Sequence, residues 1–116
     1  MTYRSPTLAE IIATLNVSRI DDHLFVATQL DNPSHHIVGG HIAAQALMAA
    51  SLTAPGRRPH SVHVYYVRAG DASKPVDLHV DIARDGGTLS TRKITARQDS
   101  ETLLEAVSYT HLVPKL

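Results

Sequence analysis

Residues 35–53 read HHIVGGHIAAQALMAASLT. From Ile42 to Ala50 every residue is apolar except Gln45, so a helix over this stretch has no continuous polar face to offer water. Such a helix is a buried one. The pair Gly39-Gly40 stands just ahead of it, where residues without Cβ let the backbone turn tightly and bring bare N–H groups close to a ligand. The alanines keep the helix thin enough to lie against a sheet. One amide inside it and two glycines before it predict a site at its N-terminal end.

Upstream, Leu8, Ile11, Ile12 and Leu15 are spaced as one face of a short amphipathic helix at about residues 6–16. Thr7 with Glu10 makes a capping box, and Ser5-Pro6 is an alternative start. His23 to Leu30 alternates in the manner of a strand, and the loop Asp31–His36 leads to the central helix. Downstream, Ala54 to Pro59 holds two prolines and a glycine that end the helix. Four strands are predicted after it. His60 to Ala69 sets Ser61, His63, Tyr65 and Val67 on one face and Val62, Val64, Tyr66 and Arg68 on the other, so His60 and His63 face opposite ways. Large side chains on both faces predict a central strand. Val76, Leu78, Val80 and Ile82 alternate with Asp77, His79 and Asp81, giving one dry face. Asp85-Gly86-Gly87 reads as a hairpin turn. Strands over Thr88–Gln98 and Thr102–His111, joined at Asp99-Ser100, complete an antiparallel meander.

The 116 residues carry eleven basic and eleven acidic side chains, a formal net charge of zero. That balance predicts neither nucleic acid nor an anionic membrane as partner. Without cysteine, a disulfide framework, a thiolate nucleophile and Cys-ligated zinc are all excluded. The histidines lack the spacing of a zinc site, and neither metal nor cofactor is expected. The opening MTYRSPTLAE has no signal-peptide core, and no run approaches the ~20 apolar residues of a membrane span. The reading is a cytoplasmic protein of one domain, residues 1–116. A small neutral chain with apolar surface to hide also predicts a homodimer or higher oligomer.

Helix, strand, long buried helix and four strands define an α+β chain with the helix on one face of an antiparallel sheet. A curled sheet around one central helix is the hot-dog architecture. The runs GGHIAAQALMAA (39–50), PHSVHVYYVRAGD (59–71) followed by KPV, RDGGTLSTRKITARQ (84–98) and AVSY (106–109) resemble the N-terminal hot-dog half of the acyl-CoA thioesterase II family. The similarity extends from about Leu8 to His111, in several blocks of matching order and spacing. It implies a two-domain enzyme class that hydrolyses acyl-CoA to free acid and CoA. It also implies that the family's Asp, Ser/Thr and Gln, which hold the attacking water, belong to the other half. Laid on that half, this chain puts Pro59 near the hydroxyl position and Tyr109 near the glutamine position, so the triad is not found here. The Gln usual after the glycine pair is His41.

Thioester hydrolysis needs a donor for the carbonyl oxygen and a group that orients or deprotonates water. Gly40 and His41 are the expected amide donors, with Gly39 beside them. Gln45 either positions water or bonds a buried backbone group. His41 is a candidate base or a helix-capping residue. His60, Ser61 and His63 are candidate substrate contacts, or hydrogen bonds at the edge of the core. Arg68 is a candidate for the CoA phosphates, as are Arg57 and Arg58 unless these sit in a solvated loop. The expected function is acyl-CoA thioesterase. A non-catalytic acyl-CoA-binding or structural subunit that needs a partner domain is the alternative.

Overall fold

The computed structural model describes residues 3–112. Thr7 accepts a hydrogen bond from the Glu10 amide and the Glu10 carboxylate accepts one from the Thr7 amide. That capping box starts α1 (Leu8–Leu15). A two-residue strand, β1 (Ser18–Arg19), follows; it is too short to leave a periodic signal. The remaining elements are β2 (Leu24–Ala27), α2 (Gly39–Leu52), β3 (Arg57–Tyr66), β4 (Val76–Asp85), β5 (Leu89–Gln98) and β6 (Glu101–Leu112). The strands form one antiparallel sheet in the order β1-β2-β4-β5-β6-β3. Its inner face carries Phe25, Leu78, Val80, Ile94 and Leu104, packed with Ile42, Ala46, Ala49 and Ala50 of α2. This is the hot-dog arrangement, α+β, with α2 held against the sheet.

Four expectations are corrected. The glycine pair forms the first two residues of α2 rather than a turn ahead of it, and Val38 is the N-cap in extended conformation. Within this chain α2 is buried on one side only, and Met48 and Leu52 reach solvent. A sequence apolar on all sides does not by itself mean burial on all sides within the chain. β3, with large side chains on both faces, likewise lies at the sheet edge rather than its centre. Val62, Tyr65, Tyr66 and Val67 are exposed there, and a long apolar edge is a template for another strand. Finally, β3 begins at Arg57, so Pro59 lies inside it. The ladder slips between Pro59 and Ser61, and a bulge in an edge strand tolerates a residue without N–H.

The β5–β6 hairpin turns on Asp99 and Ser100, both with positive φ (50° and 67°). Two left-handed residues suit a tight primed turn, but only glycine takes that conformation without strain. Ser100→Gly is therefore expected to stabilise the chain by about 1 kcal/mol, measured as a shift in the urea midpoint at constant slope.

Candidate active site at the start of the central helix

The first turn of α2 decides what the site can do. The Val38 carbonyl accepts from His41 N at 3.0 Å and from Ile42 N at 3.2 Å, and Val38 provides no side-chain cap. Gly39 and Gly40 are thus the two amides without an acceptor among the described residues. His41, one of the two expected donors, already spends its amide. Free N–H groups at a helix start, with the dipole behind them, are suited to a developing oxyanion.

The two glycines differ in their surroundings. A Cβ on Gly39 would come to 3.2 Å from the Tyr66 ring, whose hydroxyl donates to the Gly39 carbonyl at 2.8 Å. A Cβ on Gly40 would meet nothing within 4 Å, so the space over Gly40 is open. Two clefts flank this helix start and share Ile37. One, of about 230 Å³, is bordered by Gly39, Tyr66, Arg68 and Leu103. The other, of about 200 Å³, is bordered by Ile11, Leu30, Val38 and His41.

His41 is fixed by α1. Its Nε2 lies 2.8 Å from Thr14 Oγ1, and that hydroxyl donates its one proton to the Ile11 carbonyl at 2.6 Å. Oγ1 can then only accept, so Nε2 carries the proton and Nδ1 is bare. Burial holds the His41 pKa below its ordinary 6.5. The ring is therefore a neutral imidazole with a free basic nitrogen at pH 7.

Gln45 is fully buried. Its Nε2 donates to the Thr14 and Thr28 carbonyls, both at 2.9 Å, and its Oε1 accepts from Gln29 Nε2 at 2.7 Å. With both protons spent and no solvent face, it ties α2 to α1 and to the end of β2. The expected water-positioning role is not built; the amide is committed to backbone.

The expected substrate contacts divide between two places. Arg68 borders the Gly39 cleft, where its Nη1 pairs with Glu101 at 3.2 Å and its Nε donates to the Thr102 carbonyl. Ser61 and His63 pair with Tyr109 and Val107, on the outer face of the sheet away from α2. His60 joins them there, with Nδ1 3.1 Å from His111 Nδ1 and its ring stacked on Tyr109. The bulge after Pro59 inserts one residue and reverses the alternation, so His60 and His63 share a face and none of the three meets the glycines. Arg57 is drawn inward, its Nη2 donating to the Gly86 carbonyl at 2.8 Å, rather than solvated. Thr14 and Tyr66 were not among the expected site residues. Both are placed there by contacts 27 residues apart in sequence, which no local pattern reveals.

A curved antiparallel sheet packed on one helix defines a hot-dog domain, and the helix's glycine start presents unpaired amides. A family profile described as acyl-CoA thioesterase N-terminal domain matches residues 28–111, and the chain belongs to that family. It is similar to the tesB protein of Mycobacterium avium subsp. paratuberculosis at 48% identity and a TM-score of 0.90, over 95% of this chain and 45% of that one. It is 34% identical over 100 residues to acyl-CoA thioesterase 2 of Haemophilus influenzae, covering 85% of this chain and 35% of the relative. It is also 34% identical over 94 residues to human acyl-coenzyme A thioesterase 8, covering 80% and 30%. The chain spans about a third of the length of these curated relatives. Among the described residues no helix is long and apolar enough to cross a membrane.

Proposed function

We propose that this chain is one half of an acyl-CoA thioesterase, hydrolysing acyl-CoA to a free fatty acid and CoA. The reading rests above all on the Gly39 and Gly40 amides, unpaired at the start of a packed helix, with Gly39 bordering a cleft and open space over Gly40. They receive the thioester oxygen as the carbonyl carbon becomes tetrahedral. His41 Nδ1 takes a proton from the attacking water. The C–S bond then breaks, and the departing thiolate takes that proton to leave as CoA. Arg68 lies at the cleft mouth for the CoA phosphates.

A second hot-dog domain, or a second copy in a homodimer, completes the site. It pairs with the open edge of β3, covers Met48 and Leu52, and brings the carboxylate that α2 lacks. We place the reaction in fatty-acid metabolism and in the cytoplasm, a reducing compartment suited to a cysteine-free chain.

Release of free thiol from acyl-CoA by the purified chain, with its mass measured alongside, tests the reading. Catalysis by an oligomer supports it. Acyl-CoA binding with no thiol release by any assembly of the chain, unaltered in His41→Ala, would identify a non-catalytic binding half instead.

The pH dependence follows from His41. The unfolded imidazole titrates near 6.5 and the folded one lower. Above pH 6.5 both are neutral. As pH falls the unfolded chain binds the proton first, so the stability present above 6.5 is lost as pH drops through the folded value. The acid limb of kcat/KM is accordingly expected below pH 6.5, and absent from the residual activity of His41→Ala. A limb centred above 6.5 would show that another group is the base.

A further inference from the structure

The peptide unit that joins Gly39 to Gly40 carries the unpaired Gly40 N–H on one side and the Gly39 carbonyl on the other. Carbonyl and N–H of a trans peptide lie in one plane and point opposite ways, so whatever holds that oxygen also sets the direction of the Gly40 N–H. With a glycine on each side, no Cβ restricts how the plane rotates, and Val38 provides no side-chain cap. The anchor comes from β3: the Tyr66 hydroxyl donates to the Gly39 carbonyl at 2.8 Å. A carbonyl oxygen has two lone pairs, so this bond leaves one for the helix itself.

The hydroxyl is delivered from a firmly held strand end. Tyr66 is the last residue of β3 and lies opposite Leu104 of β6, a core residue. Residues directly opposite share a face of the sheet, so the Tyr66 ring is on the α2 side. Just beyond it, Val67 and Arg68 both donate to the Leu103 carbonyl, at 2.8 and 3.3 Å. The ring approaches the helix start closely: a Cβ on Gly39 would meet two ring carbons at 3.2 and 3.3 Å and the hydroxyl oxygen at 3.4 Å. The absence of a side chain at Gly39 is what lets the hydroxyl reach its acceptor. Tyr66 also borders the cleft it shares with Gly39 and Arg68. The adjacent Tyr65, opposite Glu105 and 72% exposed, is on the other face of the sheet.

Donation into a carbonyl oxygen polarises the amide and makes its N–H a stronger donor. The gain grows with the negative charge that the N–H faces, so it is larger for a tetrahedral oxyanion than for the ground-state carbonyl. We propose that Tyr66 is a positioning residue of this site: its hydroxyl, bound to the Gly39 carbonyl, aims and strengthens the Gly40 N–H toward the thioester oxygen. What the amide meets rests on the thioesterase reading; that Tyr66 governs the amide does not.

Tyr66→Phe removes the hydroxyl and keeps the ring over Gly39, while Tyr65→Phe makes the same change on the outer face. In the free ¹³C,¹⁵N-labelled chain, Tyr66→Phe should move the Gly39 carbonyl and Gly40 amide resonances, the amide proton upfield, and Tyr65→Phe should leave both in place. In thiol release from acyl-CoA, Tyr66→Phe should lower kcat by about fivefold with KM little changed, as loss of one hydrogen bond felt in the transition state requires. Tyr65→Phe should turn over like wild type. Unmoved Gly39 and Gly40 resonances in Tyr66→Phe would overturn the proposal. So would an active enzyme in which Tyr66→Phe keeps the wild-type kcat, or loses no more of it than Tyr65→Phe. A wild-type chain that releases no thiol would defeat the thioesterase reading instead, and the resonances, which need no turnover, still decide whether Tyr66 holds that amide.

Discussion

Gly39→Pro is expected to lower kcat for acyl-CoA hydrolysis by about 10²–10³-fold while α2 keeps its helicity. Gly39 is the first residue of the helix, the position where proline is favoured because its missing N–H has no intrahelical partner. The residue before it, Val38, is already extended at ψ 126°, as a residue preceding proline must be. The substitution therefore removes one of the two free amides and little else. The added ring carbons do press on Tyr66, since a Cβ here comes within 3.2 Å of its ring. Gly39→Ala carries that Cβ but keeps the N–H, so it separates crowding from the lost donor. Thiol release and far-ultraviolet circular dichroism on the pair decide the matter. Equal losses of kcat in both variants would assign the effect to Tyr66 rather than to the amide.

Gln45→Leu should instead act through stability. It takes their partner from the Thr14 carbonyl, in a buried place, and from the Thr28 carbonyl and the Gln29 amide, which are partly buried. A buried group abandoned in this way costs about 1–3 kcal/mol and a partly buried one less, so the total is on the order of 3 kcal/mol. That is a large share of a small domain's stability. Urea denaturation should show the loss, while kcat per folded molecule changes little. A near-normal urea midpoint with collapsed turnover would return Gln45 to the chemistry.

Both effects depend on features that differ in how far local sequence reveals them. The helix opened by glycines, the capping box of Thr7 and Glu10, and the dry face of Val76, Leu78 and Val80 all follow from patterns within a few residues. The edge position of β3 does not, because large side chains on both faces do not say which strands pair with it. Pro59 is hidden for a related reason: after Pro55-Gly56 a second proline reads as the turn continuing, yet an edge bulge also accepts it. At the site, Gly39 and Gly40 were legible from their lack of side chains. The division of amides between Val38 and solvent was not, since it depends on where the helix begins to within one residue. The partners of His41 and Gln45 come from α1 and β2, and only the folded chain brings them together.

The central claim is that Gly39 and Gly40 hold the thioester oxygen. Titrating the ¹⁵N-labelled protein with a non-hydrolysable acyl-CoA analogue, its sulfur replaced by methylene so that the carbonyl is kept, tests it most directly. The account predicts that the Gly39 and Gly40 amide resonances move downfield as new hydrogen bonds form, with the His41 amide shifting less because Val38 already holds it. Saturable binding that leaves both glycine amides in place would contradict it.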